Sequence, residues 1–298
     1  MSTLTNSQFR NRSLEHGQSS SVALVTGASS GFGMLTSISL AKKGYFVVAT
    51  MRQLERGTKL LSLAEREGVT ERIKLKRLDV TKDETIVSVI NEVVAENGGI
   101  HMLINNAGVA YGGFVEDVPM ENWREQMESN FFGLIAVTKA VIPIMRRQHS
   151  GLIVNMSSIS GRVGFPGYAP YAASKFAVEG FSESLRHELA PYGIHVVLVE
   201  PGAYRTSIWS KGLASMSKPA HSPYADRLQA IADYSRHNGE TAPDPQEVAD
   251  FISSLPDKKY LKLRYPLGRG THKTIIGKAL LPWQWFERIV AAATGAKS

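Results

Sequence analysis

Apolar runs rich in Val, Ile and Leu alternate with segments of helical period from residue 22 to about residue 200. This alternation is typical of a parallel sheet covered by helices on both faces, because its strands are buried on both sides. Six runs predict strands over residues 22–26, 46–50, 73–78, 102–104, 152–156 and 195–199. With a seventh strand expected at 260–265, the pattern predicts a doubly wound, Rossmann-type α/β sheet of about seven strands.

The same pattern divides the chain into three parts. Residues 1–20 are polar and rich in serine, and we expect a disordered extension there without a secretory signal. Residues 21–256 are predicted to form a single folded domain. Within it, residues 203–240 interrupt the alternation before a short helical stretch, which favours a mobile lid over a pocket. Asp244 and Pro245 predict the start of a helix that runs to about Leu255.

Composition excludes several kinds of site. The chain has no cysteine, so it holds no disulfide, no thiolate metal site and no cysteine nucleophile. Its eight histidines show no metal-ligand spacing, and we predict no metal site. With 43% apolar and 20% charged residues, and no run of eighteen apolar residues, the chain is typical of a soluble globular protein. We therefore expect a cytoplasmic location.

The net charge of +7 lies entirely in the basic C-terminal extension, residues 257–298, which holds nine Lys or Arg against two acidic residues. The rest of the chain is neutral. This segment also contains Leu280, Leu281, Trp283, Trp285, Phe286 and Ile289. One interpretation is amphipathic contact with an anionic membrane surface. We favour a solvated basic face whose aromatic residues dock on the domain or on another subunit. Nucleic-acid binding is not expected, because no recognition module accompanies the charge.

Three glycines occupy the turn between the first strand and the following helix. The segment reads Thr26-Gly27-Ala28-Ser29-Ser30-Gly31-Phe32-Gly33. Glycine permits a tight turn and lets a pyrophosphate approach the backbone, while the N–H groups at the start of the helix attract its negative charge. A glycine-rich surface turn is the alternative, but the strand-turn-helix context favours a dinucleotide site.

Tyr171 and Lys175 stand four residues apart at the start of a long amphipathic helical segment. This spacing places the phenol and the ammonium on one helix face. A nearby cation favours the phenolate, so we expect Lys175 to lower the pKa of Tyr171 toward a range useful for acid–base chemistry. A pair with this spacing is common by chance, and only neighbouring motifs distinguish it from a helical surface pair.

Together these motifs resemble the classical short-chain dehydrogenase/reductase family, over residues 22 to about 206. The glycine turn has the family's Thr-Gly-x-x-x-Gly-x-Gly spacing. The other matching motifs are Asn105-Asn106-Ala107-Gly108 after the fourth strand, Tyr171-x-x-x-Lys175, and Pro201-Gly202 followed by Thr206. The Ala49-Thr50-x-Arg52 segment and Leu263-Arg264-Tyr265-Pro266 look most like the 17β-hydroxysteroid and retinol dehydrogenase branch.

The resemblance implies a catalytic group of four residues. Tyr171 would exchange a proton with the substrate oxygen, and Ser158, just beyond the fifth strand, would hydrogen-bond that oxygen. Its neighbours Ser157 and Ser160 are not expected to take part. Lys175 would also bind the nicotinamide ribose, and Asn130 would hold a water of a proton relay. Alternatively, an asparagine inside a helix only bonds the local backbone.

The resemblance also implies the residues of a cofactor site. Besides Tyr171 and Lys175, they are Gly27, Ser29, Ser30, Gly31, Phe32, Gly33, Arg52, Asp79, Val80, Asn106, Ala107, Gly108, Pro201, Gly202 and Thr206. Cofactor choice depends on the end of the second strand, where no acid stands to repel a 2′-phosphate and Arg52 is available to bind one. NADP(H) is favoured; NAD(H) stays possible if Arg52 is only solvated.

The resemblance thus implies a carbonyl–alcohol oxidoreductase acting on a small molecule. The lid offers Tyr204, Ile208, Trp209, Leu213, Met216 and Tyr224, which favours a sizeable apolar substrate, although packing alone explains such residues. Two alternatives are a catalytically silent dinucleotide sensor and an epimerase or dehydratase of the same broader family. The helices over 119–147 and 171–190 carry long apolar faces, and because such helices build dimers or tetramers in the family that the chain resembles, we expect a homodimer or homotetramer.

Overall fold

The computed structural model describes residues 20–206, 212–219 and 221–293. Seven parallel strands form one sheet in the order β3-β2-β1-β4-β5-β6-β7. Their bounds are β1 Val22–Val25, β2 Phe46–Met51, β3 Ile73–Arg77, β4 Met102–Asn105, β5 Gly151–Met156, β6 Ile194–Pro201 and β7 Arg264–Leu267. The predicted Rossmann-type α/β fold is confirmed. The proposed N-terminal extension lies outside the described residues, apart from Ser20, as do lid residues 207–211 and 220.

Helices cover both faces of this sheet. They are α1 Gly31–Lys42, α2 Thr58–Arg66, α3 Asp83–Asn97, α4 Met120–Met127, α5 Gly133–Gln148, α6 Ala169–Leu189, α7 Ala225–Thr241, α8 Gln246–Ser254, α9 Thr271–Leu280 and α10 Trp283–Ala293. A π-helical turn, Glu128–Phe132, joins α4 to α5. Because β1 pairs with β2 on one side and with β4 on the other, the strand order reverses there, and ligands of such sheets bind beyond the carboxyl ends at this point.

The core consists of two layers, one on each face of the sheet. Alternate residues of a strand point to opposite faces. In β1, Ala23 and Val25 belong to the layer that also contains Leu40 of α1 and Ile252 of α8. Val22 and Leu24 belong to the other layer, which contains residues of α3, α5 and α6. Both faces of the central strands are therefore buried, which explains why their sequences are continuous apolar runs.

The helical stretch Met120–Gln148 has the length and composition of a membrane span, a test that core helices of soluble proteins also pass. Its residues Val137, Val141 and Met145 are buried in the core. Because these apolar side chains already pack against the sheet, we interpret the stretch as a core helix.

Two predicted boundaries were wrong. The seventh strand was predicted at 260–265 but spans Arg264–Leu267. Tyr260 is 74% exposed, and the backbone N–H of Lys262 donates to the Tyr265 hydroxyl, so residues before 264 form a turn at the sheet edge. The lid contains a longer helix than the short stretch expected, since α7 has 17 residues. Its buried positions recur at helical spacing and hold α7 against the domain: Leu228, Ile231, Ala232 and Ser235.

The helix predicted to begin at Asp244 and Pro245 is α8, which begins at Gln246. The Asp244 carboxylate accepts the backbone N–H of Gln246 at 2.9 Å, so Asp244 supplies an oxygen to the first turn as a capping residue does. A single 3₁₀ turn, Leu255–Asp257, continues from the helix. The prediction was therefore correct to within one residue at each end.

Candidate active site

Ser158 lies directly beyond the carboxyl end of β5, the position expected for a ligand-binding residue of a parallel sheet. Its hydroxyl accepts the backbone N–H of Ser160 at 3.1 Å, which holds the side chain within a tight turn. The Ser158 hydroxyl is in polar contact with the Tyr171 phenol, and hydrogen bonding to it acts to lower the pKa of Tyr171. Ser157 points elsewhere and donates to Glu179 at 2.5 Å. The structure thus brings Ser158, and not Ser157, to Tyr171.

Tyr171 and Lys175 lie on one face of α6, as their spacing predicts. The Lys175 Nζ atom is 5.7 Å from the centroid of the Tyr171 ring. The same ammonium donates to the carbonyl oxygen of Met156, the last residue of β5, at 2.7 Å. This hydrogen bond ties the first turns of α6 to the end of β5 and fixes the position of Lys175 beside the phenol.

The pKa of Tyr171 moves in the direction opposite to our expectation. Burial raises the pKa of Tyr171 to about 12, and the hydrogen bond with Ser158 opposes this only in part. Burial also lowers the pKa of Lys175 to about 8, while the negative charge of Glu179 acts to raise it. Desolvation disfavours the charged form of each group, and that effect exceeds the attraction assumed from spacing alone. Without a bound ligand, Tyr171 is a protonated phenol at neutral pH.

Asn130 sits inside the π-helical turn Glu128–Phe132, and both the oxygen and the nitrogen of its amide make hydrogen bonds. The Oδ1 atom accepts the backbone N–H of Val109 at 2.8 Å, and Nδ2 donates to the Val109 carbonyl at 3.0 Å. Nδ2 also donates to the Ser174 hydroxyl at 3.1 Å. Asn130 therefore connects the loop after β4 to α6 through Ser174, one residue before Lys175. Turns of the π type are frequent at functional sites.

A buried charge network that the sequence patterns did not predict lies next to Lys175. The Arg264 guanidinium donates to the Glu179 carboxylate at 2.8 Å and lies 3.3 Å from Glu200. The Arg162 guanidinium also donates to the Glu200 carboxylate, at 3.1 Å. Glu179 stands one helical turn after Lys175, and that i,i+4 spacing was the only signal in the sequence that pointed to it.

The glycine turn after β1 adopts the conformation that the sequence predicts. Gly27 and Gly31 have φ values of +68° and +56°, in the left-handed region that favours glycine. A Cβ atom at Gly27 would lie 2.7 Å from the Cα of Ala107. The Asn106 side chain donates to the carbonyl oxygens of Thr26 and Gly27 at 2.9 and 3.0 Å. These contacts lock the glycine turn to the loop that follows β4.

The start of α1 has the properties of a pyrophosphate site. No acidic residue occupies its first turn, so the positive end of the helix is not neutralised there. Ser30, Gly31 and Phe32 are partly exposed, and a Cβ at Gly31 would lie 3.8 Å from Thr206. Thr206 therefore lies next to the glycine turn. A dinucleotide fits these residues chemically, with its phosphates on the backbone of the turn.

The residues predicted for the adenosine half lie at the ends of β2 and β3. Arg52 is exposed directly after β2, and its charge acts on Tyr111 in the loop after β4. The Asp79 carboxylate accepts the backbone N–H and the hydroxyl of Thr81 at 3.1 and 2.9 Å. Val80 is buried and packs against Gly133. The predicted cofactor residues thus follow one edge of the sheet from β3 to β6.

The described part of the lid packs against the loop after β4. Tyr224 stacks on Phe114 with ring centroids 4.6 Å apart, and its hydroxyl donates to Glu116 at 2.7 Å. A small apolar cluster joins this lid to the domain; its members are Phe114, Tyr168, Leu213, Met216, Leu228 and Ala232. Tyr204 is buried against Phe32 of the glycine turn. Ile208 and Trp209 lie outside the described residues.

Within the residues that the structure describes, no group of three or more His, Asp or Glu side chains is placed to hold a metal ion. The polar groups that the structure brings together at the site are the phenol, the hydroxyl, the ammonium and the amide described above. These groups suit proton transfer to or from an oxygen atom of a bound substrate.

Comparison with known proteins identifies relatives along most of the chain. The short chain dehydrogenase family model matches residues 21–216. An uncharacterized oxidoreductase of Bacillus subtilis, YusZ, is 50% identical over 272 residues, which cover 90% of this chain and 96% of that protein. A 3-ketodihydrosphingosine reductase of Bacteroides thetaiotaomicron is 37% identical over 250 residues, covering 83% and 87%. Retinol dehydrogenase 8 of Bos taurus is 39% identical over 243 residues, covering 77% and 75%.

Solved structures agree with these relatives. A short-chain dehydrogenase from Streptomyces avermitilis superposes with a TM-score of 0.78 and 32% identity, covering 95% of this chain and all of that one. An actinorhodin polyketide ketoreductase solved with NADPH gives a TM-score of 0.73 and 31% identity, covering 85% and 97%. The chain therefore belongs to the short-chain dehydrogenase/reductase family of oxidoreductases, in the classical form and in the branch that resembles retinol and steroid dehydrogenases.

Proposed function

We propose that this protein reduces a ketone or aldehyde to an alcohol, or carries out the reverse reaction, with NADP(H) as cofactor and Tyr171 as the acid–base group. The observation that carries the proposal is the polar contact between the Ser158 hydroxyl and the Tyr171 phenol, with Lys175 on the same helix face. A carbonyl oxygen held between the two hydroxyls would receive a hydrogen bond from each. Such donors stabilise the negative charge that develops on that oxygen.

In the direction of reduction, the bound dinucleotide would supply a hydride to the carbonyl carbon. Tyr171 donates its phenolic proton to the carbonyl oxygen, so that an alcohol forms. Burial keeps the pKa of Tyr171 at about 12, which leaves the proton in place at neutral pH. Ser158 donates a hydrogen bond to the same oxygen and holds it at Tyr171. In the direction of oxidation, the alcohol proton returns to the phenolate.

Lys175 and Asn130 would assist proton transfer by Tyr171 without contacting the substrate oxygen. With a pKa of about 8, Lys175 is mostly cationic at pH 7, and its charge stabilises the phenolate left after proton transfer. Asn130 holds the loop after β4 and Ser174 in place through three hydrogen bonds. We propose that its amide also positions a water through which the phenol regains its proton.

The proposed preference for NADP(H) rests on Arg52. This residue is exposed at the end of β2, where the order of strands places the adenosine half of a dinucleotide. A guanidinium there binds a 2′-phosphate by charge-assisted hydrogen bonds, and no acidic side chain follows β2 directly. The NADPH in the actinorhodin ketoreductase is consistent with this preference.

The proposed substrate is a sizeable apolar carbonyl compound or alcohol. The lid residues Leu213 and Met216 form an aromatic and apolar cluster with Phe114 and Tyr168 of the domain. Pockets lined by such side chains favour apolar ligands. The names of two relatives also refer to large apolar molecules, 3-ketodihydrosphingosine and retinol. We propose the chemical class only, a long-chain or polycyclic compound with one reactive carbonyl or hydroxyl.

The test follows loss of NADPH or NADH absorbance against a panel of steroid, retinoid, long-chain, aromatic and short aliphatic carbonyls. We expect consumption of NADPH in preference to NADH, and faster turnover of the larger carbonyls. Tyr171→Phe should lower kcat by at least about a thousandfold while cofactor binding persists. Tyr192→Phe, a partly exposed tyrosine just after α6, is the matched control. Near-wild-type turnover by Tyr171→Phe would overturn the assignment of the acid.

A further inference from the structure

The two C-terminal helices expose several large apolar side chains to solvent, with Trp283 and Trp285 on different sides of α10 because they are two residues apart. Ile276 and Leu280 of α9 stand four residues apart, as do Trp285 and Ile289 of α10, and Trp283 lies between these pairs. These five side chains, the apolar ridge, are between 54% and 78% exposed. Soluble monomers rarely leave so many large apolar residues exposed together, and such surfaces mark interaction sites.

The ridge faces outward because other residues of the same helices face inward. Phe286 is only 4% exposed and fixes which side of α10 meets the protein. Lys278 donates to the carbonyl oxygen of Arg162 at 2.5 Å and lies 5.1 Å from the Phe176 ring centroid. We expected the C-terminal aromatic residues to dock on the domain or on another subunit: Phe286 is buried within the chain, whereas Trp283 and Trp285 are exposed, and docking of these two on another subunit stays a prediction.

Positive charge accompanies the ridge. Arg269, Lys273 and Arg288 are exposed beside or within α9 and α10, and none has an ion-pair partner among the residues that the structure describes. Elsewhere, Lys42, Lys74 and Lys76 pair with glutamates. Residues 269–293, which include both helices, hold four Lys or Arg against one acidic residue, and this local excess points to an anionic partner for the segment.

A second copy of this chain is a poor occupant of the ridge. Symmetric dimers bring the same patch of both subunits together. That contact would place two basic segments, each with an excess of three positive charges over residues 269–293, against each other. A lipid surface satisfies both properties at once, because tryptophans favour the membrane interface, aliphatic side chains enter the acyl boundary, and Lys and Arg attract anionic headgroups.

We propose that α9 and α10 dock the protein on the surface of an anionic membrane, with the apolar ridge in the lipid interface and the basic residues on the headgroups. The attachment is peripheral, because each helix is far shorter than a membrane span: α9 has 10 residues and α10 has 11. This binding surface is separate from the residues of the candidate active site and does not depend on the proposed reaction.

The test is co-sedimentation of the full chain with two kinds of vesicle, phosphatidylcholine alone and an equimolar mixture with phosphatidylglycerol. We expect clear binding to the mixed vesicles, weak binding to phosphatidylcholine, and release as the salt concentration rises. The triple variant Leu280→Gln, Trp283→Gln, Trp285→Gln should bind the mixed vesicles at least about tenfold more weakly. Its NADPH-binding affinity should equal that of the wild type, which shows that it is folded.

A matched control tests whether any loss of exposed apolar surface has the same effect. Leu61 and Val87 are exposed apolar residues of α2 and α3, and the double variant Leu61→Gln, Val87→Gln should bind vesicles as the wild type does. Equal sedimentation of the triple variant and the wild type would overturn the proposal. The proposal would also be overturned if the wild type did not bind vesicles and the triple variant had a lower oligomeric mass than the wild type. The ridge would then be a contact between copies of the chain.

Discussion

At the scale of single residues, burial sets the properties of the catalytic side chains more than their immediate neighbours do. It raises the pKa of Tyr171 and lowers that of Lys175, so both neutral forms are favoured. The one group that acts to raise the pKa of Lys175 is Glu179, one helical turn away. Glu179 itself is held by Ser157 and Arg264. The charge of Lys175 therefore depends on a network that does not touch the substrate.

We predict that Glu179→Gln moves the pH profile of carbonyl reduction. Without the carboxylate, the pKa of Lys175 falls below its present value of about 8, and Lys175 loses its charge at a lower pH. The alkaline decline of kcat/KM should shift to lower pH, with a several-fold loss at pH 7.5 and little loss at pH 6. Glu183→Gln removes another carboxylate bonded to Arg264 and is the control. Superimposable profiles for Glu179→Gln and wild type would contradict the prediction.

We also predict a pH-dependent effect of Glu200→Gln on stability. Burial raises the pKa of Glu200 to about 7, so the folded state holds a proton between pH 4.5 and 7 that the unfolded state has lost. The stabilisation of the folded state by this bound proton is complete below pH 4.5 and is lost as pH rises through about 7. Glutamine cannot bind this proton. The free energy of unfolding of the variant should therefore rise relative to that of the wild type as pH rises, by up to about 3 kcal/mol.

Urea unfolding of Glu200→Gln and wild type at pH 4.5, 7 and 8 measures this difference. The difference in free energy of unfolding between variant and wild type should change mainly between pH 4.5 and pH 7, and it should stay constant above pH 8. A difference in free energy of unfolding that does not change with pH would show that Glu200 is ionised throughout, held by Arg162 and Arg264.

The sequence predicts the catalytic residues but not the ion pairs or the pKa direction that folding gives them. Ser158 was placed by its match to the family's serine just beyond the fifth strand, and Tyr171 and Lys175 by a helical spacing that puts them on one face. The contact between Arg264 and Glu179 joins residues 85 positions apart and depends on the pairing of β6 with β7, which no local pattern shows. The direction of the Tyr171 pKa likewise depends on burial, which is a property of the folded chain.

At the scale of elements, the glycine turn and α1 were predictable because their geometry is local, whereas the bounds of β7 and of the lid helix were not. The position of β7 is set by pairing with β6, since the backbone N–H of Leu198 donates to Leu263. The extent of α7 depends on its packing against the loop after β4, which includes Phe114. Strong local patterns fix the existence of an element, and tertiary contacts fix its ends.

Two glycines in helices should respond in opposite ways to alanine. At Gly33 in α1, a Cβ would lie 2.4 Å from the Asn106 amide and 2.6 Å from the Gly27 carbonyl oxygen, so the glycine turn must shift. We expect Gly33→Ala to weaken NADPH binding by at least about tenfold, because the phosphate site is displaced. At Gly180 in α6, no atom lies within 4 Å of the added Cβ.

Gly180→Ala should therefore stabilise the protein by about 0.5–1 kcal/mol, through the higher helix propensity of alanine, and leave NADPH binding unchanged. Isothermal titration measures the cofactor affinity and urea unfolding measures the stability. If Gly33→Ala bound NADPH as tightly as Gly180→Ala does, the tight packing of Asn106 against α1 would have no role in the cofactor site.

At the scale of the whole molecule, the structure separates three surfaces by their chemistry. The carboxyl edge of the sheet carries the cofactor and catalytic residues, and the C-terminal helices carry the apolar ridge with its basic residues. The third is formed by the long helices α5 and α6 with the π-helical turn, where Phe132 and Phe176 are 51% and 43% exposed. This third surface is where we propose that copies of the chain associate.

We predict that the double variant Phe132→Ser, Phe176→Ser lowers the oligomeric mass measured by multi-angle light scattering. In a symmetric dimer each subunit contributes both rings to the interface. The double variant therefore removes four aromatic rings from it, which shifts the equilibrium toward the monomer. Leu61→Ser with Val87→Ser, on α2 and α3, removes exposed apolar surface elsewhere and should leave the mass unchanged. A monomeric wild type would contradict the proposed association, whereas a dimer that resists the variant would place the interface on another surface.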